Sequence, residues 1–208
     1  MNILLATTSQ HKAREIAELL ADVPDLKLET LADYAATEAP EEDGDSMQQN
    51  ARIKAEFYAQ HFQTRVLADD SGLEVDALDG APGVRSARWA PGSDADRMMA
   101  LLNELIGVPE EHRGARYRCA LCLFDPSCLE NTDDIIETEG VCEGAIHLQP
   151  QGEGGFGYDP IFEITLATGA QSQWVGQTMG QVPSEVKASV SHRARAVRAL
   201  AQQLKQQV

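Results

Sequence analysis

The run Ala68-Asp69-Asp70-Ser71-Gly72 sets two adjacent carboxylates and a hydroxyl at what reads as the end of a short strand, Arg65-Val66-Leu67. Side chains alternate across a strand, so Asp69 and Asp70 are expected on opposite sides, one holding local structure and the other facing a ligand. A carboxylate pair at a strand end can hold Mg²⁺ or activate a water. The same residue types also make a good turn, because Asp, Ser and Gly dominate turns for backbone reasons.

Four other segments carry candidate chemistry. Thr7, Thr8, Ser9, Gln10, His11 and Lys12 follow the first apolar run and open a helix. A helix N-terminus offers N–H donors and partial positive charge suited to phosphate, and the three hydroxyls and Lys12 add donors and a full charge. A Ser cap with a solvent-facing lysine is the plainer alternative, and the glycines of a Walker loop are missing. Glu41-Glu42-Asp43-Gly44-Asp45 is an acidic loop followed by Gln49, Asn50 and Lys54 on a helix. If the loop folds toward Asp70, Glu42 completes an oxygen site for a hard cation; otherwise it is a solvated acidic loop.

Gly152 to Pro160 contains four glycines with Phe156 and Tyr158 among them. The glycines allow close backbone approach, and the aromatic rings offer a face for stacking a base; otherwise the segment is a flexible hairpin loop. Asp159, before Pro160, is expected on extended backbone. Finally, Lys187 and Ser191-His192-Arg193 concentrate cations at the start of the last helix, where Arg opposes the helix dipole unless an anion or carbonyl sits there; a solvent-facing basic helix start is the plainer alternative.

The elements that must position these groups alternate in type. A strand over Asn2–Ala6 leads into a helix with Ala13, Ile16, Ala17, Leu19 and Leu20 at helical spacing. A strand near Leu26–Leu28 follows, then a helix from about Ser46 to His61 and the strand through Val66-Leu67-Ala68. Ser93 or Asp94 opens a helix reaching Leu105. Arg116 to Phe124 and Asp134 to His147 read as two longer strands of a twisted antiparallel ribbon. Ser191 is expected to cap a final helix with Ala194, Val197, Leu200, Ala201 and Leu204 on one face. The pattern predicts an α/β fold, a long twisted mixed sheet flanked by helices, as one domain over residues 1–208 with two lobes around a central cleft.

The chain has 208 residues, 43% of them hydrophobic, and a formal charge of -16. The acidity argues against a nucleic-acid polymer or an anionic membrane as partner, but not against a small phosphorylated ligand, since local cations or a metal can reverse the field in one pocket. No stretch approaches the about 18 apolar residues of a membrane helix, and the first residues lack the basic start of a signal peptide. Cys119-x-x-Cys122 has a zinc-like spacing, but it lies in an apolar strand and no second pair has matching spacing. A reduced, cytoplasmic protein is expected.

The segments LLATTSQHKAREI, LADDSGLEVDAL, GAPGVRSAR, GGFGYDPIF and SHR, in this order and through nearly the whole chain, resemble the Ham1 family of inosine triphosphate pyrophosphatases. The resemblance implies a long curved mixed sheet, a homodimer, Mg²⁺, and hydrolysis of the purine nucleoside triphosphates ITP, dITP or XTP to the monophosphate and pyrophosphate, which clears deaminated purines from the nucleotide pool. It implies Asp70 as general base or metal-linked carboxylate, Glu42 as a Mg²⁺ ligand, Ser71 as a nucleotide contact, and Thr7 to Lys12 at the phosphates. Phe156, Gly157, Tyr158 and Asp159 would hold the base, with Lys187, His192 and Arg193 completing the pocket. The chain departs from the family pattern in having Thr8-Ser9 for Gly-Asn, Gln49-Asn50-Ala51 for Glu-Asn-Ala, and Gly180-Gln181 for an acidic residue. Alternatives are a pyrophosphatase of modified pyrimidine nucleotides and a nucleotide-binding protein of weakened catalysis, the latter motivated by Ser9 and Gln49.

Overall fold

The computed structural model describes residues 1–129, 135–166 and 169–206, with the side chains of 128, 129, 169 and 170 outside that description. Six strands form one mixed sheet: β1 (Asn2–Leu5), β2 (Lys27–Thr30), β3 (Val66–Val75), β4 (Gly114–Phe124), β5 (Ile136–Ile146) and β6 (Phe162–Ile164), in the order β2-β1-β3-β4-β5-β6. β1 runs parallel to β2 and to β3, with Leu4 opposite Val66 and Leu5 opposite Leu67, whereas β5 and β6 are antiparallel. Among the described residues, five helices accompany them: α1 (Gln10–Leu20), α2 (Met47–Phe62), α3 (Asp94–Glu104), α4 (Ser184–Val190) and α5 (His192–Gln206). The expected mixed α/β sheet is thus observed.

The chain divides into two compact units. The first comprises Met1–Asp70, Cys119–Gly140 and Arg193–Val208, the second Ser71–Arg118 and Val141–His192. In the first, Ile3, Leu5, Leu67, Leu121, Ile16, Leu20, Val197, Leu200 and Leu204 share one apolar core. β1 buries Ile3, Leu4 and Leu5 in succession, as a strand covered on both faces must. The helical spacing of Ile16 and Leu20 puts both toward that core, while Ala17 faces solvent. In the second, Leu73, Val75, Leu101, Leu105, Tyr117, Phe162, Ile164 and Met179 form a separate core.

Three helix starts follow local chemistry. The side chains of Ser9, Ser46 and Ser93 accept from the backbone N–H groups of Lys12, Gln49 and Asp96, each satisfying a donor that the first turn leaves without an intrahelical partner. At Ser93 the Asp96 carboxylate returns a bond to the cap N–H, closing a capping box.

Two expectations are corrected. β3 does not stop near Ala68 but runs to Val75, so Asp69-Asp70-Ser71-Gly72 is mid-strand rather than a strand end or a turn. The run Val66–Val75 is buried almost throughout, and burial overrides the turn preference of Asp, Ser and Gly. Asp159 does not lie on extended backbone but opens a 3₁₀ turn over Asp159–Ile161, with Pro160 in its first turn, where a fixed φ and a missing N–H are tolerated. Ser191, on extended backbone, closes α4 and stands immediately before α5, the position expected of its cap; the seven-residue α4, which carries Lys187, is an element the sequence pattern does not predict. Asp134, expected to begin the fifth strand, lies outside the described residues. Cys119 and Cys122 lie buried in β4 and Cys142 is buried as well, as thiols in apolar surroundings.

Candidate nucleotide site

The predicted residues gather in two clusters, one within each unit. In the first unit, β1 delivers the chain to a short turn at Thr7–Ser9. Thr7 Oγ1 accepts from the Ser9 N–H at 3.2 Å, and Ser9 Oγ caps α1, whose first turn contains Gln10, His11 and Lys12. Lys12 does not project into solvent. Its Nζ lies 2.7 Å from Asp69 Oδ2, on a carboxylate that is almost wholly buried. Burial would raise the Asp69 pKa, but the charges of Lys12, Arg193 and Lys54 outweigh it and hold the carboxyl well below its usual range.

Asp70 has different partners, as alternation across a strand requires. Its Oδ1 lies 3.5 Å from Lys54 Nζ and its Oδ2 accepts from Asn50 Nδ2 at 3.4 Å. Lys54 Nζ also lies 3.2 Å from Glu42 Oε2, so one ammonium joins the acidic loop to the strand carboxylate. Asn50 and Lys54 are one turn apart on α2 and share a face. The acidic loop is closed onto the start of that helix by Gly44 N–H donating to Asn50 Oδ1 at 2.8 Å and Asp45 N–H to Gln49 Oε1 at 2.7 Å. Gln49 therefore holds the loop through an oxygen that a carboxylate would also supply. Burial, reinforced by Glu42 and Asp69, raises the Asp70 pKa despite Lys54 and Lys12; these carboxylates outweigh burial at Lys54 and raise its pKa.

The sequence puts Lys54 and Asn50 after the acidic loop but gives neither a role. The available signal is their four-residue spacing, and its meaning depends on Asp70 lying beside that face. Among the described residues no three His, Cys, Asp or Glu side chains gather as a ready metal cage. Glu42 and Asp70 nonetheless supply hard oxygens around one shared positive charge, which suits an ion such as Mg²⁺ that takes one or two carboxylates and completes its shell with water and phosphate.

Arg193 is 1% exposed, and its guanidinium pairs with Glu15 of α1 and lies within electrostatic reach of Asp69. Ser71 is half-buried in β3.

In the second unit the glycine-rich loop is tied down at consecutive amides. Phe156 N–H donates to Asp159 Oδ2 at 2.8 Å, Gly157 N–H to Asp94 Oδ2 at 2.9 Å, and Asp159 N–H to Phe156 O at 3.2 Å. Gly155 has φ +77°, and a Cβ there would lie 2.0 Å from Asp159 Oδ2, so any other residue would strain this turn and displace the Asp159 carboxylate. Lys187 Nζ lies 2.8 Å from Asp159 Oδ2 and 4.4 Å from the Phe156 ring centre, an ion pair and a cation–π contact on one ammonium.

Tyr158 is buried and its hydroxyl donates to Ser86 O at 2.9 Å, with burial pushing its pKa up to about 12. The His192 ring stacks on Tyr117 at 4.8 Å and 14°. Phe156, Gly157, Tyr158, Asp159, Lys187 and His192 thus belong to one cluster, while Thr7–Lys12, Glu42, Asp70 and Arg193 belong to the other.

Comparison with known proteins places this arrangement among relatives. A model of the Ham1 family matches residues 3–203. The chain is 42% identical over 202 residues to a dITP/XTP pyrophosphatase of Shouchella clausii, spanning 95% of this chain and 93% of that one. It is 40% identical over 200 residues to one of Desulforamulus reducens, spanning 95% and 92%. A solved structure of a HAM1 protein from Coxiella burnetii superposes with a TM-score of 0.86 at 34% identity, covering 99% of both chains.

Proposed function

The chain belongs to the Ham1 family, and we infer that it hydrolyses ITP, dITP and XTP to the nucleoside monophosphate and pyrophosphate, removing deaminated purines from the nucleotide pool. The observation that carries this reading is the similarity, at about 40% identity over 95% of the chain, to relatives named dITP/XTP pyrophosphatases.

The chemistry supports it. Water adds to phosphorus, the bridge between the α- and β-phosphates breaks, and negative charge grows on the oxygens of the leaving pyrophosphate. Cations and N–H donors placed there supply most of the stabilisation. The N-terminus of α1 offers its first amides with the hydroxyls of Thr7, Thr8 and Ser9, and Lys12 and Lys54 supply charge. Asp70, with its pKa raised by burial, is suited to take a proton from the attacking water, because a base works best as its pKa approaches the working pH. Glu42 and Asp70 would hold Mg²⁺, which when bound supplies positive charge to the phosphate oxygens. Arg193, beside Asp69 and paired with Glu15, supports a part in fixing Asp69.

The base is assigned to Phe156, Lys187 and His192. The 6-keto oxygen of a deaminated purine accepts hydrogen bonds, so donors suit it, whereas the 6-amino group of adenine would face donors with a donor. Each such mismatch in a closed pocket costs about 1–3 kcal/mol. Among the described residues no helix is long and apolar enough to cross a membrane. The cytoplasmic location expected from the cysteine usage remains part of the proposal. The homodimer implied by the family is checked by sedimentation of the purified chain.

A substrate panel tests the reading: dITP, ITP, XTP, dATP, dGTP and modified pyrimidine triphosphates, with separate assays for pyrophosphate and phosphate. Pyrophosphate release from dITP and XTP far above dATP is expected. Preference for a pyrimidine, or release of single phosphate, overturns it. Tight dITP binding without turnover supports the binding-protein alternative instead.

A further inference from the structure

We infer that Asp94, in the first turn of α3, is a positioning residue for purine recognition: its carboxylate fixes the Phe156–Gly157 peptide of the base-binding loop. The inference rests on the pyrophosphatase reading above and adds to it a residue outside the segments that carry the family resemblance.

Asp94 and Gly157 lie in the same unit, 63 positions apart, and Asp94 Oδ2 accepts from the Gly157 N–H at 2.9 Å. The carbonyl of the same peptide, Phe156 O, accepts from the Asp159 N–H at 3.2 Å. One peptide plane is thus held at both ends, at its oxygen by the loop itself and at its nitrogen by a helix. Gly157 has φ +63°, and a Cβ there would meet nothing within 4 Å. The position therefore uses glycine for its backbone conformation and not for space, and glycine reaches other conformations at little cost. A contact from outside the loop selects among them. Rotation of this peptide would swing Phe156, whose ring centre lies 4.4 Å from Lys187 Nζ, out of register with the other side chains proposed to meet the base.

Asp94 is itself held in place. Its Oδ1 pairs with Arg97, whose guanidinium also donates to Gly92 O at 2.8 Å. The capping box of Ser93 and Asp96 closes the turn that carries it, and a carboxylate in a first turn suits the helix dipole. The next loop residue reaches the same stretch of chain. The Tyr158 hydroxyl donates to Ser86 O at 2.9 Å, and Ser86 Oγ accepts from the Leu73 N–H of β3 at 2.8 Å. Two successive loop residues are therefore anchored on residues 86–94, one through a backbone carbonyl and one through a side chain that a substitution can remove.

A hydrogen bond to a charged group is stronger than a neutral one, but the Asp94 side chain is half-exposed and water reduces the gain. Without the carboxylate the Gly157 N–H turns to water and the loop samples more conformations, which substrate binding then has to fix. That loss applies equally to bound substrate and to transition state, so it raises KM and leaves kcat nearly constant.

The test compares three variants. Asp94→Ala removes the acceptor, Asp94→Asn keeps an oxygen able to accept from Gly157, and Asp96→Ala opens the capping box of the same helix while leaving Asp94 in place. For Asp94→Ala the KM for dITP is expected to rise about five-fold, the equivalent of one hydrogen bond, with kcat within about two-fold of wild type. Affinity for dIMP, measured by calorimetry, weakens by the same factor, and inhibition by pyrophosphate does not change. Asp94→Asn and Asp96→Ala keep KM within about two-fold of wild type. Amide hydrogen exchange over residues 152–160 accelerates in Asp94→Ala while exchange in α1 stays constant.

A fall in kcat at constant KM, equal weakening of dIMP and pyrophosphate, no rescue by Asp94→Asn, a KM in Asp96→Ala as high as in Asp94→Ala, or unchanged exchange over 152–160 overturns the inference. Failure of the wild-type chain to release pyrophosphate from dITP overturns the pyrophosphatase reading instead; dIMP binding and exchange over 152–160, which need no turnover, then decide the role of Asp94.

Discussion

Lys12 and Asp69 meet at 2.7 Å across fifty-seven residues of chain, joining the first turn of α1 to the middle of β3. The lysine opposes the dipole of its own helix, and the buried carboxylate offsets that while the lysine offsets the burial of the carboxylate. Removing one partner leaves a buried charge with less compensation. Lys12→Met is therefore expected to destabilise the fold by about 3 kcal/mol. In a double-mutant cycle with Asp69→Asn the two losses do not add; urea unfolding of the four proteins gives the coupling.

Asp70 is assigned the proton of the attacking water. Asp70→Asn keeps the size of the side chain and an oxygen able to accept from Asn50, but it removes the base. Pyrophosphate release from saturating dITP is expected to fall by about 100-fold or more, with the melting temperature retained. A pyrophosphate assay and a thermal melt of the same preparation check both halves.

Glu42 and Asp70 both face the Lys54 ammonium. Dialysis against EDTA is expected to abolish pyrophosphate release, and Mg²⁺ to restore it. Glu42→Gln, which removes one charged oxygen donor, shifts the Mg²⁺ concentration needed for half-maximal rate upward by about ten-fold or more, in the range found when groups that support a bound metal are altered. A magnesium titration of both proteins measures the shift.

The Tyr158 hydroxyl donates to Ser86 O in a buried site, and its pKa is raised from 10.0 to about 12. A raised folded-state pKa means that this group's stabilisation is fully present below pH 10 and is lost as pH rises toward 12. Tyr158→Phe is therefore expected to be less stable than wild type by about 1 kcal/mol at pH 8. The gap narrows between pH 10 and 11.5 as only the wild-type chain loses this contribution. Paired thermal melts across that range test the sign.

Much of the candidate site was legible because its chemistry is local. Ser9, Ser46 and Ser93 cap helices through bonds to residues three positions on, which a sequence shows directly. The glycines and Asp159 of the 152–160 loop close on one another within a few residues. The apolar spacing of Ile16 and Leu20, or of Val197, Leu200 and Leu204, reports which helix face is buried. Two elements escaped for opposite reasons. α4 is seven residues long, too short for periodicity to register, and β3 continues through Asp69-Asp70-Ser71-Gly72, whose local preference is for a turn.

The sequence by itself determined which groups are available and in what order: the hydroxyls and Lys12 at the first turn, the paired aspartates, the glycine-rich loop with its aromatics, and the cations near the last helix. Only the tertiary structure decided which of them meet. Asp69 joins Lys12 and Asp70 joins Lys54 because adjacent residues of a strand point to opposite faces and different helices carry those lysines. The Tyr117 ring meets His192 only because β4 lies in the same unit as a helix start many residues later. Contacts of that kind depend on strand pairing and packing over long sequence separations, which no local residue pattern records.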